Sequence, residues 1–317
     1  MNREALVLAL CGGVGGAKVA LGLSHLLPGE RLVVACNTGD DFDHFGLAIS
    51  PDVDTVLYTL SGLSNLELGW GREGETWHAM AALKALGGET WFQLGDADLA
   101  LHLLRTQMLR AGASLSEVVD YVRRCLGIEA RIVPATDEPV RTMVTTDQGE
   151  LAFQDYFVRH RCEPAVRSLR YVGADTADPS PAVTAALDDP QLAAIIFCPS
   201  NPYLSLAPIL EIPGISRALQ RRRVPSVAVS PLVDGKAVKG PTTKIMVELG
   251  LEPSAAQVAS YLRPWIDVFI LDESDAANTA AIESTGVKVV LAPTLMTSMV
   301  DKVEVARTAL RAANVPC

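Results

Sequence analysis

Short apolar runs alternate with longer segments of helical periodicity along most of this 317-residue chain. Six runs have the length and composition of buried parallel strands, at residues 5–10, 32–36, 193–198, 226–230, 267–271 and 287–291. Strands that alternate with helices are joined by right-handed crossovers. The pattern therefore predicts an α/β fold, a Rossmann-like doubly wound, mainly parallel sheet with its ligand at the carboxyl ends of the strands.

Two regions depart from this alternation. Residues 56–128 show successive helical patterns, one over 96–112 and another opened by the capping box Ser114-Leu-Ser-Glu117. Residues 130–153 alternate like antiparallel strands, with Gln148-Gly149 as a turn. We find no Gly/Ser linker that would separate independent domains. We expect one domain over residues 1–317, with a helical insertion at about 56–128 and a small β-hairpin at about 130–160.

Composition narrows the classes of function. The net charge of −10 and an aromatic content of 5% argue against a nucleic-acid surface, which needs clustered Lys and Arg. No apolar run approaches the roughly 18 residues that a membrane span requires. The six cysteines show no Cys-x-x-Cys spacing, as expected for thiols in a reduced cytoplasm. We therefore expect a cytoplasmic protein that binds neither nucleic acid nor membrane.

A glycine segment, Gly12-Gly-Val-Gly-Gly-Ala-Lys18, lies between the first apolar run and a helical pattern. A strand, turn and helix of this kind present bare backbone amides, which bind phosphate. The segment is not a Walker A loop, because Ala17 and Val19 flank Lys18, and a dinucleotide fingerprint would need a small residue in place of that lysine. Glycines that merely turn the chain are the alternative. The lysine favours an anion.

Four aspartates follow within fifteen residues, at positions 40, 41, 52 and 54. Aspartate is common in turns and at helix N-caps, and Asp54 precedes a predicted helix at 55–60, so an N-cap is one interpretation. Beside a phosphate loop, however, hard oxygen ligands indicate a magnesium site that bridges to a diphosphate. The spacing leaves open which of Asp40, Asp41, Asp52 and Asp54 bind the metal.

Other polar residues follow later in the chain. Asp98, His102 and Arg105 are spaced to share one helix face, which is either a solvated face with an ion pair or a substrate-facing one. Turns at 198–202 and 230–231 follow two predicted strands and combine proline with serine. Because these turns meet the glycine segment along one edge of the sheet, they are candidates to hold the base and ribose of a nucleotide.

These motifs together resemble the 2-phospho-L-lactate transferase family of coenzyme F-420 biosynthesis over nearly the whole chain. The segments that carry the resemblance are residues 12–18, 37–41, 50–58, 94–98, 113–116, 153–154, 199–202, 229–231 and 294–296. The resemblance implies a transferase of substituted phosphate groups. Such enzymes move a phosphorylated three-carbon acid from a guanosine diphosphate adduct to the ribityl hydroxyl of 7,8-didemethyl-8-hydroxy-5-deazariboflavin, release GMP and require Mg²⁺.

The resemblance also implies roles for single residues. Asp54 would lie by the acceptor hydroxyl as orienting group or base, with Asp52 as a second catalytic residue, and Asp40 or Asp41 by the magnesium. The residues implied to bind the donor or the acceptor are Gly12, Gly13, Gly15, Gly16, Lys18, Asn37, Thr38, Asp96, Asp98, His102, Ser200, Asn201, Ser230 and Pro231. The implied partners are a guanosine diphosphate-linked phospho-acid donor and a deazaflavin acceptor. For a cytoplasmic enzyme of this size we also expect a homodimer.

Several alternatives stay open on the sequence alone. The transferred acid is phospholactyl, phosphoenolpyruvyl or phosphoglyceryl in type. An NAD(P)-dependent oxidoreductase on the same fold would need a complete dinucleotide fingerprint, which Lys18 interrupts. A nucleotide-sugar-binding regulator of the gluconeogenesis factor type would share the glycine segment without catalysing a reaction. The segments 50–55 and 94–102 favour the transferase.

Overall fold

The structure, a computed structural model, describes residues 5–65 and 70–316. Its strands are β1 Leu6–Cys11, β2 Leu32–Cys36, β3 Phe42–His44, β4 Leu47–Ile49, β5 Arg131–Pro134, β6 Arg141–Thr146, β7 Gly149–Ala152, β8 Val166–Val172, β9 Leu192–Phe197, β10 Ser226–Val229, β11 Leu232–Val233, β12 Lys236–Ala237, β13 Val268–Leu271 and β14 Lys288–Leu291. Its α-helices are α1 Gly13–Leu26, α2 Pro51–Leu60, α3 His78–Ala85, α4 Asp96–Arg110, α5 Leu115–Cys125, α6 Pro181–Asp188, α7 Ala207–Leu210, α8 Pro213–Gln220, α9 Thr242–Glu248, α10 Ala255–Leu262, α11 Thr279–Glu283 and α12 Met299–Ala312.

Seven strands form one parallel sheet in the order β14-β13-β10-β9-β1-β2-β5. The chain begins at the centre with β1, moves outward through β2 to β5, and then continues on the other side of β1 with β9. This is the strand order of doubly wound nucleotide-binding sheets, in which the crevice lies where the order reverses. All six strands predicted from the apolar runs belong to this sheet, and the predicted fold class is confirmed.

The seventh strand, β5, differs from the expectation for residues 130–153. It pairs in parallel with β2 at the edge of the main sheet instead of joining a hairpin. Arg131, its first residue, is only half-buried. A strand at a sheet edge keeps such a polar position, so its pattern resembles the alternation of an antiparallel strand.

The hairpin itself forms from β6 and β7. Asp147 and Gln148 make the turn, and Gly149, at a φ of +114°, is the first residue of β7. A third strand, β8, pairs with β6 and completes a small antiparallel sheet beside the main one.

Residues 51–125, which precede this small sheet in the chain, contain the helices α2 to α5. Ser114 and Glu117 form the predicted capping box at the start of α5.

Two helices begin earlier than the sequence predicts. Helix α1 begins at Gly13, so its glycines lie in the first turn instead of a preceding loop. Helix α2 begins at Pro51, with Ser50 at the cap position. Asp54 therefore lies inside the first turn and is not an N-cap.

Helices cover both faces of the main sheet. One face packs against α1, α2, α5 and α12, and the other packs against α6 to α11. The described part of the chain contains no helix with the length and apolar character needed to cross a membrane.

Candidate active site

A cavity of about 680 Å³ opens beside the carboxyl ends of β1 and β9, where the strand order reverses. Three segments near the start of the chain reach it: the glycine segment through Gly12, the turn after β2 through Asp40, and the start of α2 through Asp52. Ser200 after β9 and Ser230 after β10 also line it. This is the position at which open parallel sheets bind their ligands.

The glycine segment packs closely against the loop that follows β9. The Ser200 hydroxyl accepts a hydrogen bond from the Gly12 amide at 3.2 Å and donates one to the Gly12 carbonyl at 2.7 Å. A β-carbon at Gly15 would lie 2.4 Å from the Pro199 carbonyl oxygen, so no other residue fits without a shift of the backbone. Gly12, Gly13 and Gly15 line the cavity. The start of α1 thus offers its backbone to an anion.

Lys18 lies in the second turn of α1 and also lines the cavity. Its Nζ atom donates a hydrogen bond to the Met296 carbonyl at 2.7 Å. Burial lowers the pKa of Lys18, and the charges of Lys302 and Lys239 lower it further. A negatively charged ligand would relieve this repulsion, so the three lysines favour an anion in this part of the cavity.

Asp40 and Asp52 present two buried carboxylates to the cavity. The Asn37 amide donates to Asp52 Oδ2 at 2.9 Å, and the Asn37 oxygen accepts from the Gly39 amide at 2.8 Å, which fixes the turn after β2. Burial raises the pKa of Asp52 to about 6. Burial and the charge of Asp52 hold the pKa of Asp40 well above its usual range.

One oxygen of this pair lacks a partner, because Asp40 Oδ1 is buried and accepts no hydrogen bond from the described residues. A buried carboxylate in that position is costly unless a cation neutralises it. Hard divalent cations prefer carboxylate oxygens, and their charge would remove the repulsion between Asp40 and Asp52. The pair therefore fits a divalent metal ion.

Asp41 lies directly behind this pair. Its Oδ2 accepts a hydrogen bond from the Ser50 hydroxyl at 2.8 Å, and its amide donates to the Thr38 carbonyl at 3.2 Å. Burial raises the pKa of Asp41 to about 7. Four of the residues predicted for the site support the cavity wall from behind: Gly16, Asn37, Thr38 and Asp41.

Asp54 is held by a buried arginine from another helix. Arg105 of α4 donates to both carboxylate oxygens, with Nη1 3.0 Å from Oδ2 and Nη2 bonded to Oδ1. Arg105 is 1% exposed and Asp54 is 5% exposed. A bidentate pair of this kind fixes both side chains in one geometry. The α4 face that the sequence left open as solvated or substrate-facing is therefore buried, and it joins α4 to α2.

His102 and Asp98 continue this network to the cavity. His102 Nδ1 lies 3.3 Å from Arg105 Nη1, and His102 Nε2 lies 3.3 Å from Asp98 Oδ2. The Tyr58 hydroxyl donates to Asp98 Oδ1 at 2.5 Å. Burial alone would raise the pKa of Asp98, but His102, Tyr58 and Arg105 outweigh it and hold that pKa below its usual range. Asp98 thus faces the cavity as a carboxylate.

Asp54, Asp98 and His102 also place ligand atoms within 4.8 Å of one another, a spacing that suits a metal ion. Arg105 already supplies a cation there, because its guanidinium bonds Asp54 and contacts His102. A second positive charge at this point would be repelled. Asp40 and Asp52 are therefore the better candidates for a metal.

Asp96 is used elsewhere. Its carboxylate accepts hydrogen bonds from the amides of His78 and Ala79, both at 3.0 Å, and from the Thr76 hydroxyl at 2.5 Å. These bonds cap the start of α3. Its side chain therefore lies outside the cavity wall, although the family resemblance implied a binding role for it.

The turns after β9 and β10 line the cavity as the sequence predicts. Asn201 accepts hydrogen bonds from the Tyr203 and Leu204 amides at 2.9 and 3.0 Å, and so orders the turn after Ser200. Ser230 closes its own turn, because its hydroxyl accepts from the Leu232 amide at 3.1 Å. Ser200, Asn201, Ser230 and Pro231 all reach the cavity wall.

An aromatic side of the cavity escaped the sequence analysis. Its members come from four separate segments: Tyr58, Trp70, Trp91, Phe92, Phe153 and Phe157. Trp91 and Phe92 contact each other, and Phe153 stacks on Phe157 with ring centroids 5.3 Å apart. The one available signal was that a chain with only 5% aromatic residues places Trp91 and Phe92 side by side. Such a wall suits a flat ring system.

Comparison with known proteins agrees with the resemblance. The sequence model of the family described as 2-phospho-L-lactate transferase CofD matches residues 7–308. A protein named phosphoenolpyruvate transferase from Kitasatospora aureofaciens is 41% identical over 315 residues, which cover 97% of this chain and 98% of that protein. A protein named 2-phospho-L-lactate transferase from Methanosarcina mazei is 38% identical over 306 residues, with 96% and 100% covered.

A solved structure supports the fold alone. A protein of the UPF0052 family from Bacillus halodurans superposes with a TM-score of 0.63, covering 96% of this chain and 99% of that one, at 14% sequence identity. At that identity only the architecture is shared. The family model and the two relatives carry the stronger conclusion: the chain belongs to the 2-phospho-L-lactate transferase CofD family.

Proposed function

We propose that this protein transfers a phosphorylated three-carbon acid from a guanosine diphosphate adduct to the ribityl hydroxyl of a 5-deazaflavin and releases GMP, in coenzyme F-420 biosynthesis. The observation that carries the proposal is that one cavity combines a backbone phosphate site, a buried acid pair and an aromatic wall. The chain has this cavity within a family of transferases. A nicotinamide enzyme or a binding regulator would have no need for the acid pair.

The donor would bind across the reversal point of the sheet. Its phosphates would lie at the start of α1, where the backbone of Val14 and Gly15 lines the cavity and Lys18 supplies positive charge. The nucleoside would lie against the turns that hold Ser200 to Asn201 and Ser230 to Pro231. A displacement at phosphorus needs alignment and charge neutralisation more than covalent chemistry, and these groups provide both.

Asp40 and Asp52 would hold a magnesium ion, with Asp41 behind them keeping the turn in place. When bound, the ion would neutralise charge on the diphosphate. The proposal rests on the unpartnered Asp40 Oδ1 and on the raised pKa values of Asp40 and Asp52. Of the two catalytic roles that the resemblance implied, Asp52 thus becomes a metal ligand, and Asp54 orients the acceptor side through Arg105.

The acceptor would place its rings against the aromatic wall of Trp91, Phe92 and Phe153. Its ribityl chain would then run toward Tyr58 and Asp98, which lie on the same cavity. The attacking hydroxyl and the phosphate site would face each other across the cavity. Effective alignment of the two reactants is worth several kcal/mol of the barrier in such reactions, roughly 7–11 at best.

The proposal is tested by a direct assay. Purified protein with Mg²⁺, the deazaflavin and the phospholactyl, phosphoenolpyruvyl or phosphoglyceryl adduct of guanosine diphosphate should release GMP with at least one of the three. Comparing them side by side also identifies the acid. No GMP from any adduct, or tight binding of NAD(P) instead, would contradict the proposal.

Two further properties belong to the proposal. A cytoplasmic location is consistent with a guanosine nucleotide substrate. A homodimer is the expected assembly, and Leu291, Leu295 and Val300 form exposed apolar positions around the end of β14 and the start of α12 that such an interface would cover. Sedimentation of the purified protein near twice the chain mass of 33.8 kDa is the expected result. Sedimentation at the single-chain mass would contradict it.

A further inference from the structure

Two aspartates on the acceptor side of the cavity, Asp54 and Asp98, differ in exposure and in how far neighbouring groups neutralise their charge. Both carboxylate oxygens of Asp54 are bonded to Arg105, and only 7% of its side chain is exposed. The Asp98 side chain is 19% exposed, and its contacts are with neutral or weakly basic groups, Tyr58 and His102. The charge of Asp54 is therefore neutralised within the protein, whereas Asp98 keeps an accessible negative oxygen at the cavity.

The backbone of the two helices sets this arrangement. Asp98 lies in the first turn of α4, where the helix dipole favours an ionised carboxylate. The amide of Asp98 donates to Glu75 Oε1 at 2.8 Å, which anchors that turn. Asp54 and Tyr58 are four residues apart on α2, as Asp98 and His102 are on α4, so the two helix faces meet through these side chains.

The reaction needs a group in this position. A ribityl hydroxyl that attacks phosphorus must be held in line and must lose its proton, and an ionised carboxylate at the cavity wall can do both. In phosphoryl transfer the protein mainly positions the nucleophile, so an aspartate that orients the hydroxyl is sufficient even when it is a weak base. Arg105 keeps Asp54 from this task, because a proton on Asp54 would break a buried ion pair.

We propose that Asp98 binds the attacking hydroxyl of the acceptor and accepts its proton, which deepens the proposed function and rests on it. The hydroxyl O–H bond breaks, and its proton passes to a carboxylate oxygen of Asp98. The same hydroxyl oxygen forms a bond to the distal phosphorus of the donor. The bond from that phosphorus to the bridging oxygen breaks, and its electron pair leaves with GMP. Tyr58 and His102 act as positioning residues that keep the carboxylate aimed at the cavity.

The test compares three variants with the wild type: Asp98→Asn, Asp98→Glu and the control Asp137→Asn. Asp137 is a fair match, because its carboxylate accepts hydrogen bonds from the Ser116 amide and hydroxyl at 2.7 and 3.0 Å near the start of another helix, away from the cavity. GMP release gives kcat and the acceptor KM. Calorimetry gives the affinities for the donor and for Mg²⁺, and thermal unfolding checks the fold.

We expect Asp98→Asn to lower kcat by roughly 10²–10⁴-fold, the usual contribution of a general base. Its acceptor KM should change far less, and its affinities for donor and Mg²⁺ should stay at the wild-type values. Asp98→Glu should recover part of kcat, and Asp137→Asn should match the wild type.

Three results would overturn the proposal while wild-type activity stands. They are a kcat of Asp98→Asn within about tenfold of the wild type, a change confined to KM, or a loss of Mg²⁺ affinity that makes Asp98 a metal ligand. If the wild type itself releases no GMP, the proposed function fails instead. The two failures are therefore distinguishable.

Discussion

Asp40 and Asp52 are buried carboxylates, and their ionisation lowers the stability of the protein without a metal ion. An aspartate normally titrates near 3.9, but burial raises the pKa of Asp52 to about 6 and of Asp41, behind it, to about 7. At pH values between the ordinary pKa and the raised ones, the folded state binds more protons than the unfolded state. Stability of the metal-free protein therefore decreases as pH rises from about 4 to about 7.

This sign leads to a prediction for magnesium. The ion binds the ionised carboxylates, so protons compete with it below the raised pKa values. We expect Mg²⁺ to increase the Tm of the wild type clearly at pH 7.5 and little at pH 5. Thermal unfolding with and without Mg²⁺ at both pH values measures this. An equal shift at the two pH values would place the metal elsewhere.

A second prediction concerns Asp52 alone. In Asp52→Asn, the amide oxygen can still accept the hydrogen bond from Asn37, while the buried charge that repels Asp40 is gone. We expect the metal-free Tm at pH 7.5 to increase, by roughly 2 °C for each 1 kcal/mol gained in a chain of this length, and GMP release to be lost. A variant that is less stable than the wild type without metal would contradict the account of the acid pair.

At the scale of elements, the Asp54–Arg105 pair is a buried ion pair that joins α2 to α4. Removing one partner leaves an uncompensated buried charge, so Arg105→Leu should lower the free energy of unfolding by roughly 3–5 kcal/mol. Adding Asp54→Asn removes that charge and should restore part of the loss. Urea unfolding of the wild type, both single variants and the double variant measures the coupling. Additive effects would mean that the two side chains do not interact.

The glycine segment and the loop after β9 make a second joint. Ser200→Ala removes both hydrogen bonds to Gly12, and each is worth about 1 kcal/mol. We expect donor affinity to fall roughly tenfold as α1 loses its fixed start. Ser180→Ala is the matched control, since its buried hydroxyl donates to the Pro134 carbonyl at 2.7 Å outside the cavity wall. Equal donor affinity in the two variants would contradict a role for this joint.

Local patterns predicted much of these elements, and tertiary contacts decided the rest. Apolar runs located the strands because a parallel strand is buried on both faces. Strand β5 was predicted as antiparallel because it lies at the edge of the sheet and keeps a polar position. The start of α2 was predicted too late, because Pro51 and Asp52 lie in its first turn and not before it. The Arg105–Asp54 bond joins residues 51 apart in sequence, and no local pattern specifies such a pair. The aromatic wall was missed for the same reason.

At the scale of the whole molecule, the sheet and the segments inserted between its strands line one cavity. The reversal of strand order beside β1 brings Gly12 and Ser200 together. The segments inserted between β2 and β9 add Asp98, Trp91 and Phe153 to the lining of the cavity. Under the proposed function, the nucleotide half of the site would come from the sheet and the acceptor half from the insertions. Relatives that share only the sheet should share only the first half.

The identity of the two products tests the central claim most directly. If the hydroxyl attacks the distal phosphorus, mass spectrometry of a completed reaction should find free GMP and the deazaflavin joined to the phospho-acid, in equal amounts. Attack on the phosphorus next to guanosine would instead give a deazaflavin joined to GMP and release the free phospho-acid. The account predicts the first pair of products. The second pair, or neither, would contradict it.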